Sequence, residues 1–293
     1  MIRTAIPSRF MLRTVVTAVA AALLAACSTG SGSSDRTSSE PEPVPPARLS
    51  HGLPDDPVRM LFPATGAESR WTQGLDVFVR QVSRATAASC AHDHGIGLPE
   101  DVPVAFIRFF EVPDLDFIAR HGLSESAQVP ALETGPAATR PGSSAEVRRC
   151  LSEGAAAAKA LHDSYATLQR RWFRELASVS RAPATHRALG TLPDCLAQHG
   201  VKARDEGGVM AVADALLQTA APADIPRAGR RLGRAYATCM RPVEAVREPA
   251  RLSLRTRFLA EHADEVRELR ETLVPSLRSA EKEHGVSLAF PAP

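Results

Sequence analysis

Several chemical signatures are missing from this chain of 293 residues. No Gly-x-Ser-x-Gly elbow and no phosphate-cradling glycine loop occurs, which removes the common frameworks of serine hydrolases and nucleotide enzymes. There is no Cys-x-x-Cys to start a zinc or redox site. Strands do not alternate with helices, so a two-lobed solute receptor is not expected. Lysine occurs three times against thirty-two arginines. With alanine abundant too, that bias reads as the mark of a GC-rich genome rather than of chemistry. Beyond the first 26 residues no apolar run approaches 18, so nothing further along is written to cross a bilayer.

Those first residues are a targeting segment. Arg3, Arg9 and Arg13 make a basic start, and Val15 to Ala26 is an apolar run too short to span a membrane. It closes on Leu24-Ala25-Ala26-Cys27, which resembles a bacterial lipobox: cleavage before Cys27 and a diacylglyceryl (palmitate-type) group on its thiol. Two acyl chains hold far more firmly than one, at about 0.8 kcal/mol per buried methylene. The expected location is the outer face of the cell membrane, lipid-anchored. Losing residues 1–26 removes three positive charges and no acid, taking the formal charge from +2 to about −1. A near-neutral chain gives no reason to expect a nucleic-acid partner. Residues 27–52, rich in Ser and Pro, read as a disordered tether, and 53–293 as a single helical domain.

Within that domain the fold class is all-α, a bundle of long amphipathic helices. The first helix settles near Ser69, with Trp71, Leu75, Phe78, Val79, Val82 and Ala85 on one face, and stops at Gly95. From 96 to 142 the pattern dissolves into irregular loop. Inside it Val104–Phe110 is a strand or a buried loop, and Asp114 caps a short helix, Leu115 to His121. The central helix runs from Ser143 to Ser180. Val147, Leu151, Ala158, Leu161, Tyr165, Leu168, Trp172, Leu176 and Val179 form its stripe, with one long step over Gly154. Ser143 and Glu146 stand at capping-box spacing, and Pro183 stops the helix.

A helix over 184–199 is expected next, kinked or delayed by Pro193. Another follows Gly207-Gly208, and a third is capped by Asp224 and ended by Pro242. The last begins near Pro249 and reaches His284. Leu252, Leu259, Val266, Leu273 and Ala280 repeat every seven residues, and the Arg and Glu of the opposite face read as solvated.

Two stretches echo each other. Cys90-Ala-His-Asp-His94-Gly95-Ile96 matches Cys195-Leu-Ala-Gln-His199-Gly200-Val201, and each is followed by a second helix-borne cysteine, Cys150 or Cys239. This reads as an imperfect internal duplication, with units over about 61–180 and 183–285. Outside the membrane, four matched cysteines argue for disulfides over a thiolate–imidazole nucleophile or a shared zinc site. The duplication favours Cys90–Cys150 with Cys195–Cys239, and the competing pairing joins Cys90 to Cys195. These motifs, a later Ala-x-x-Cys and a long charged C-terminal helix resemble uncharacterised secreted lipoproteins of high-GC Gram-positive bacteria. The resemblance covers about Leu53 to Gly285. In those relatives Met often follows the motif cysteine, where this chain has Ala91 and Leu196. It implies a helical extracytoplasmic protein and supplies no catalytic residue.

His92 and His94 flank Asp93, but residues two apart on a helix point about 200° apart, so the pair chelates only beyond the helix end. Arg227, Arg230, Arg231 and Arg234 form a basic patch suited to phosphate or lipid headgroups, or simply to solvent. Three phenylalanines, Phe106, Phe109 and Phe110, crowd the loop and are the first candidate for a binding surface; their alternative is to plug the core. The expected function is a non-enzymatic binding or structural module of the cell envelope, without cofactor or metal, meeting a protein, glycan or lipid. The competing reading is an extracytoplasmic hydrolase or metal-dependent enzyme.

Overall fold

The computed structural model describes residues 47–99, 104–106, 111–123, 127–132 and 140–292. Cys27, Phe109 and Phe110 lie outside the described residues. The expected all-α helical bundle is what forms. Its helices are α1 (Gly66–Asp93), α2 (Leu115–His121), α3 (Ser144–Ser180), α4 (Pro183–Leu189), α5 (Leu192–Gln198), α6 (Glu206–Thr219), α7 (Ile225–Glu261) and α8 (Ala263–His284). Strand pairing is brief. β1 (Arg48–Ser50) runs antiparallel to β4 (Phe290–Ala292), and β2 (Ile96–Gly97) parallel to β3 (Arg140–Pro141). No helix among the described residues is long and apolar enough to cross a membrane.

The helix starts follow from their caps. The Ser143 hydroxyl accepts from the Glu146 amide at 3.3 Å, and the Glu146 carboxylate accepts from the Ser143 amide at 2.9 Å, which fixes the start of α3. Asp114 Oδ1 accepts from the Phe117 amide at 3.0 Å and starts α2. The glycine after α2 serves a close approach. Gly122 has φ 94°, and a Cβ there would stand 2.7 Å from the Gly229 carbonyl carbon of α7.

Proline was the least reliable marker in the sequence. Pro193 divides the expected 184–199 helix in two, taking a first-turn position in α5 after Gly190 and Thr191. Pro242 and Pro249 do the opposite of what was expected: α7 passes through both without ending or starting. Each proline frees the carbonyl four residues back. Pro242 and Pro249 are exposed, and so are Thr238 and Ala245, the residues that own the freed carbonyls. Water can satisfy them there, so the helix survives. The true break comes at His262, between α7 and α8.

That break corrects the seven-residue stripe. Val266, Leu273 and Ala280 of α8 are buried, whereas Leu252 of α7 is 38% exposed. The core face of α7 is carried by Leu254 and Phe258 instead.

Among the described residues two large apolar cores form, beside two small clusters around Cys90–Cys150 and Phe106, and α7 belongs to both large ones. The larger gathers α1, α3, α8, the segment 58–64 and residues 286–290 around Trp172, Phe62 and Phe258, whose rings meet edge to face at 5.3–6.4 Å. The indole Nε1 of Trp172 donates to the Pro63 carbonyl at 3.2 Å. The smaller packs α2, α5 and α6 on the first half of α7, through Leu232, Tyr236, Met240 and Val243. The cores are therefore not the two halves of the sequence: α2 packs with the second, and α8 with the first.

Candidate functional site

Where α7 leaves one core and enters the other, between Val243 and Leu254, its inward face turns from apolar to ionic. Arg251 is 1% exposed and Arg247 4%, although the arginines of the helix from Pro249 onward, Arg251 among them, were expected to face solvent. Arg247 donates Nη1 and Nη2 to the two carboxylate oxygens of Glu206 at 3.0 and 2.7 Å. The phenol of Tyr236 donates to the same carboxylate at 3.3 Å. Glu244 receives Arg251 on Oε2; its Oε1 lies 3.6 Å from Arg247, an ionic contact without a hydrogen bond. Arg251 also donates Nε to the Ala64 carbonyl at 2.7 Å and Nη1 to the Glu111 carbonyl at 3.2 Å.

One turn further on, Arg255 pairs with Glu68 and donates to the Phe62 carbonyl. Glu68 in turn accepts the Ala64 and Thr65 amides at 2.9 and 3.2 Å, capping α1. Burial alone would lower the Arg247 pKa, but the hydrogen bond and charge of Glu206, with Glu244 behind them, raise it above the usual value. Burial and the Glu206 and Glu244 carboxylates push the Tyr236 phenol well up. The arginines thus tie segments 62–64 and 111 to α7. They hold structure, and each carboxylate is already engaged.

What they hold in place is an open groove of about 1200 Å³. One wall is the start of α1 (Thr65, Gly66, Ala67, Arg70), the second is α2 with its approach, and the floor is α7 from Arg234 to Pro249. The walls meet without slack, since a Cβ on Gly66 would lie 2.4 Å from the Pro113 carbonyl oxygen. Two ion pairs line it. Arg70 Nε stands 2.8 Å from Asp114 Oδ2, at ionic distance though not aligned as a hydrogen bond, and Arg241 meets Asp116 at 2.8 Å.

The sequence candidates fall elsewhere. The two bridges are Cys90–Cys150 and Cys195–Cys239, with Cα separations of 5.4 and 5.6 Å, the pairing within each unit; Cys90–Cys195 is not formed. The echo is geometric as well. His94 and His199 each cap a helix end, and Gly95 and Gly200 follow with φ of 62° and 73°. Among the described residues, Cys195, His199 and Cys239 place their ligand atoms within 4.8 Å of one another, but with the sulfurs bonded to each other only the imidazole remains to coordinate. His92, Asp93 and His94 are exposed.

Phe106 is 4% exposed and packs with Val77 and Ala127, so it fills core and offers no binding surface. Arg227 of the basic patch pairs with Asp224, while Arg234 reaches the groove. The ionic run in α7 had a readable signal. Tyr236, Met240, Val243, Arg247, Arg251, Leu254 and Phe258 are spaced by three or four, so the arginines occupy core positions of an apolar stripe. No family model matches the chain, and no match was found among curated proteins or solved structures.

Proposed function

We propose that this chain is a non-enzymatic binding module of the cell envelope, held to the outer face of the membrane through lipid on Cys27. The single observation that carries the binding reading is the groove between α1, α2 and α7: about 1200 Å³, open to solvent and braced from behind by buried arginines. A wall tied down by Arg251 and Arg255 loses little freedom when a ligand arrives, so less of the contact energy is spent on ordering. The non-enzymatic reading rests on the engaged carboxylates. Glu206, Glu244 and Glu68 are each taken up by a guanidinium and serve to hold the groove's walls. The anchor rests on the lipobox and the Ser/Pro-rich spacer after it.

The test is capture from detergent-solubilised envelope, comparing the wild-type full chain with Ala245→Trp. Ala245 is exposed on the groove floor, so the indole fills space without touching either core. A partner lost only from the variant, at unchanged melting temperature, supports the groove; identical partners remove it. Metal bound in stoichiometric amount by the purified protein would move the reading to a metal-dependent enzyme. For the anchor, Cys27→Ala should lose radioactive fatty-acid label and leave the membrane pellet.

A further inference from the structure

The charges lining the groove are equal in number but not all paired with one another. Four are cationic (Arg70, Arg120, Arg234, Arg241) and four anionic (Asp114, Asp116, Glu244, Glu248). Arg70 pairs with Asp114 and Arg241 with Asp116, while Glu244 is taken by Arg251 from the core side. Arg120, Arg234 and Glu248 remain, with no ionic partner among the described residues.

Their positions are ordered along α7. Gly233, beside Arg234, packs on the Ile118 carbonyl and Gly122, which puts the C-terminal end of α2, and Arg120 with it, at that level of the groove. Glu248 lies fourteen residues further along α7, beyond the Arg241–Asp116 pair and at the end walled by Gly66 and Pro113. Fourteen residues are nearly four turns, so Arg234 and Glu248 share a face and stand about 21 Å apart along the axis.

A groove with two free guanidiniums at one end and a free carboxylate at the other selects a ligand with an anion at one tip and a cation at the other. We infer that it takes a short extended peptide with free ends, its terminal carboxylate on Arg120 and Arg234 and its amino group on Glu248. This rests on the groove being the binding site. At about 3.4 Å per residue, 21 Å is spanned by roughly six residues. A guanidinium pair suits a carboxylate because its donors match the two oxygens in a plane. An anionic glycan or lipid surface would use the arginine end and be indifferent to Glu248, or repelled by it.

Degenerate hexapeptide libraries provide the probe, offered with free termini, N-acetylated or C-amidated to the immobilised full chain in detergent and read by mass spectrometry. Wild type should retain the free-ended library and lose about tenfold on capping either end, as for one charge-assisted contact. In Arg120→Gln/Arg234→Gln, amidation should no longer matter; in Glu248→Gln, acetylation should no longer matter. Equal retention of all three libraries by wild type, or unchanged cap dependence in the variants, overturns the inference. So does retention of no peptide. If Ala245→Trp nevertheless loses an envelope partner, the groove stands and only its peptide ligand falls.

Discussion

Arg247 and Glu206 meet fork to fork across the junction of α6 and α7, at 3.0 and 2.7 Å, with the Arg247 side chain only 5% exposed. Such a pair does little net work compared with apolar packing, but removing one member strands the other away from water. Arg247→Ala should therefore lower the unfolding free energy by about 3 kcal/mol, because Glu206 and Glu244 both lose a cation. Glu206→Gln, which stays hydrogen-bonded and is partly solvated, should cost about 1 kcal/mol. Urea unfolding followed by helical circular dichroism measures both. A loss below 1 kcal/mol for Arg247→Ala would contradict the buried pair.

Two glycines on helices should respond oppositely to alanine. A Cβ on Gly154 of α3 would stand 2.2 Å from the Ser83 carbonyl oxygen of α1, a backbone atom that cannot step aside. Gly154→Ala should destabilise by about 2 kcal/mol as the helices are pushed apart. At Gly207, exposed in the first turn of α6, the nearest atom is the Asp205 carboxylate at 3.4 Å. Gly207→Ala should stabilise by about 0.5 kcal/mol through the unfolded chain. Thermal melting compares them directly, and a rise in melting temperature for Gly154→Ala would be incompatible with the close crossing.

The two disulfides should open in a fixed order. Cys90 and Cys150 are both buried, whereas Cys195 is only part-buried, in the middle of the short α5. A thiol or phosphine has access to Cys195 first. Graded reduction with alkylation and peptide mapping should label Cys195 and Cys239 before Cys90 and Cys150. The second bridge closes a span of 44 residues, so its loss should cost up to about 4 kcal/mol in the chain-entropy model. Labelling in the reverse order would refute the accessibility argument.

Tyrosine ionisation gives a pH test. The chain has two tyrosines, both buried: burial, then Asp76, raises the Tyr165 pKa, and burial with Glu206 and Glu244 raises that of Tyr236. A raised phenol pKa leaves stability intact below pH 10, where both states hold the proton. Above that the unfolded chain releases it first, so stability falls as pH rises. Tyrosinate absorbance should stay flat past pH 10 and then appear together with loss of helix. Absorbance rising at pH 10 in a fully helical protein would sink the prediction.

Caps and stripes were legible because they are local. Ser143 with Glu146, and Asp114 with Gly122, carry their meaning within a few residues: α3 begins, and α2 begins and ends, where those residues place them. Pro242 and Pro249 were not, because whether a proline ends a helix depends on whether water reaches the carbonyl it frees. That is a property of the finished surface. The buried arginines were half legible: their spacing put them in the stripe, but their partners Glu206, Ala64 and Glu111 lie up to 187 residues away. The groove was invisible, since three separate segments make it.

The pairing of Arg48–Ser50 with Phe290–Ala292 closes the described chain into a ring. A ring has no privileged starting point. Residues 48 and 292 face each other across one strand spacing, about 5 Å, so a few glycines would join them without disturbing a neighbour. Cutting instead in the exposed connection at 221–224, between α6 and α7, would give a permuted chain that starts with the helix shared by both cores. The order in which the ribosome delivers these helices is then separable from the architecture they reach.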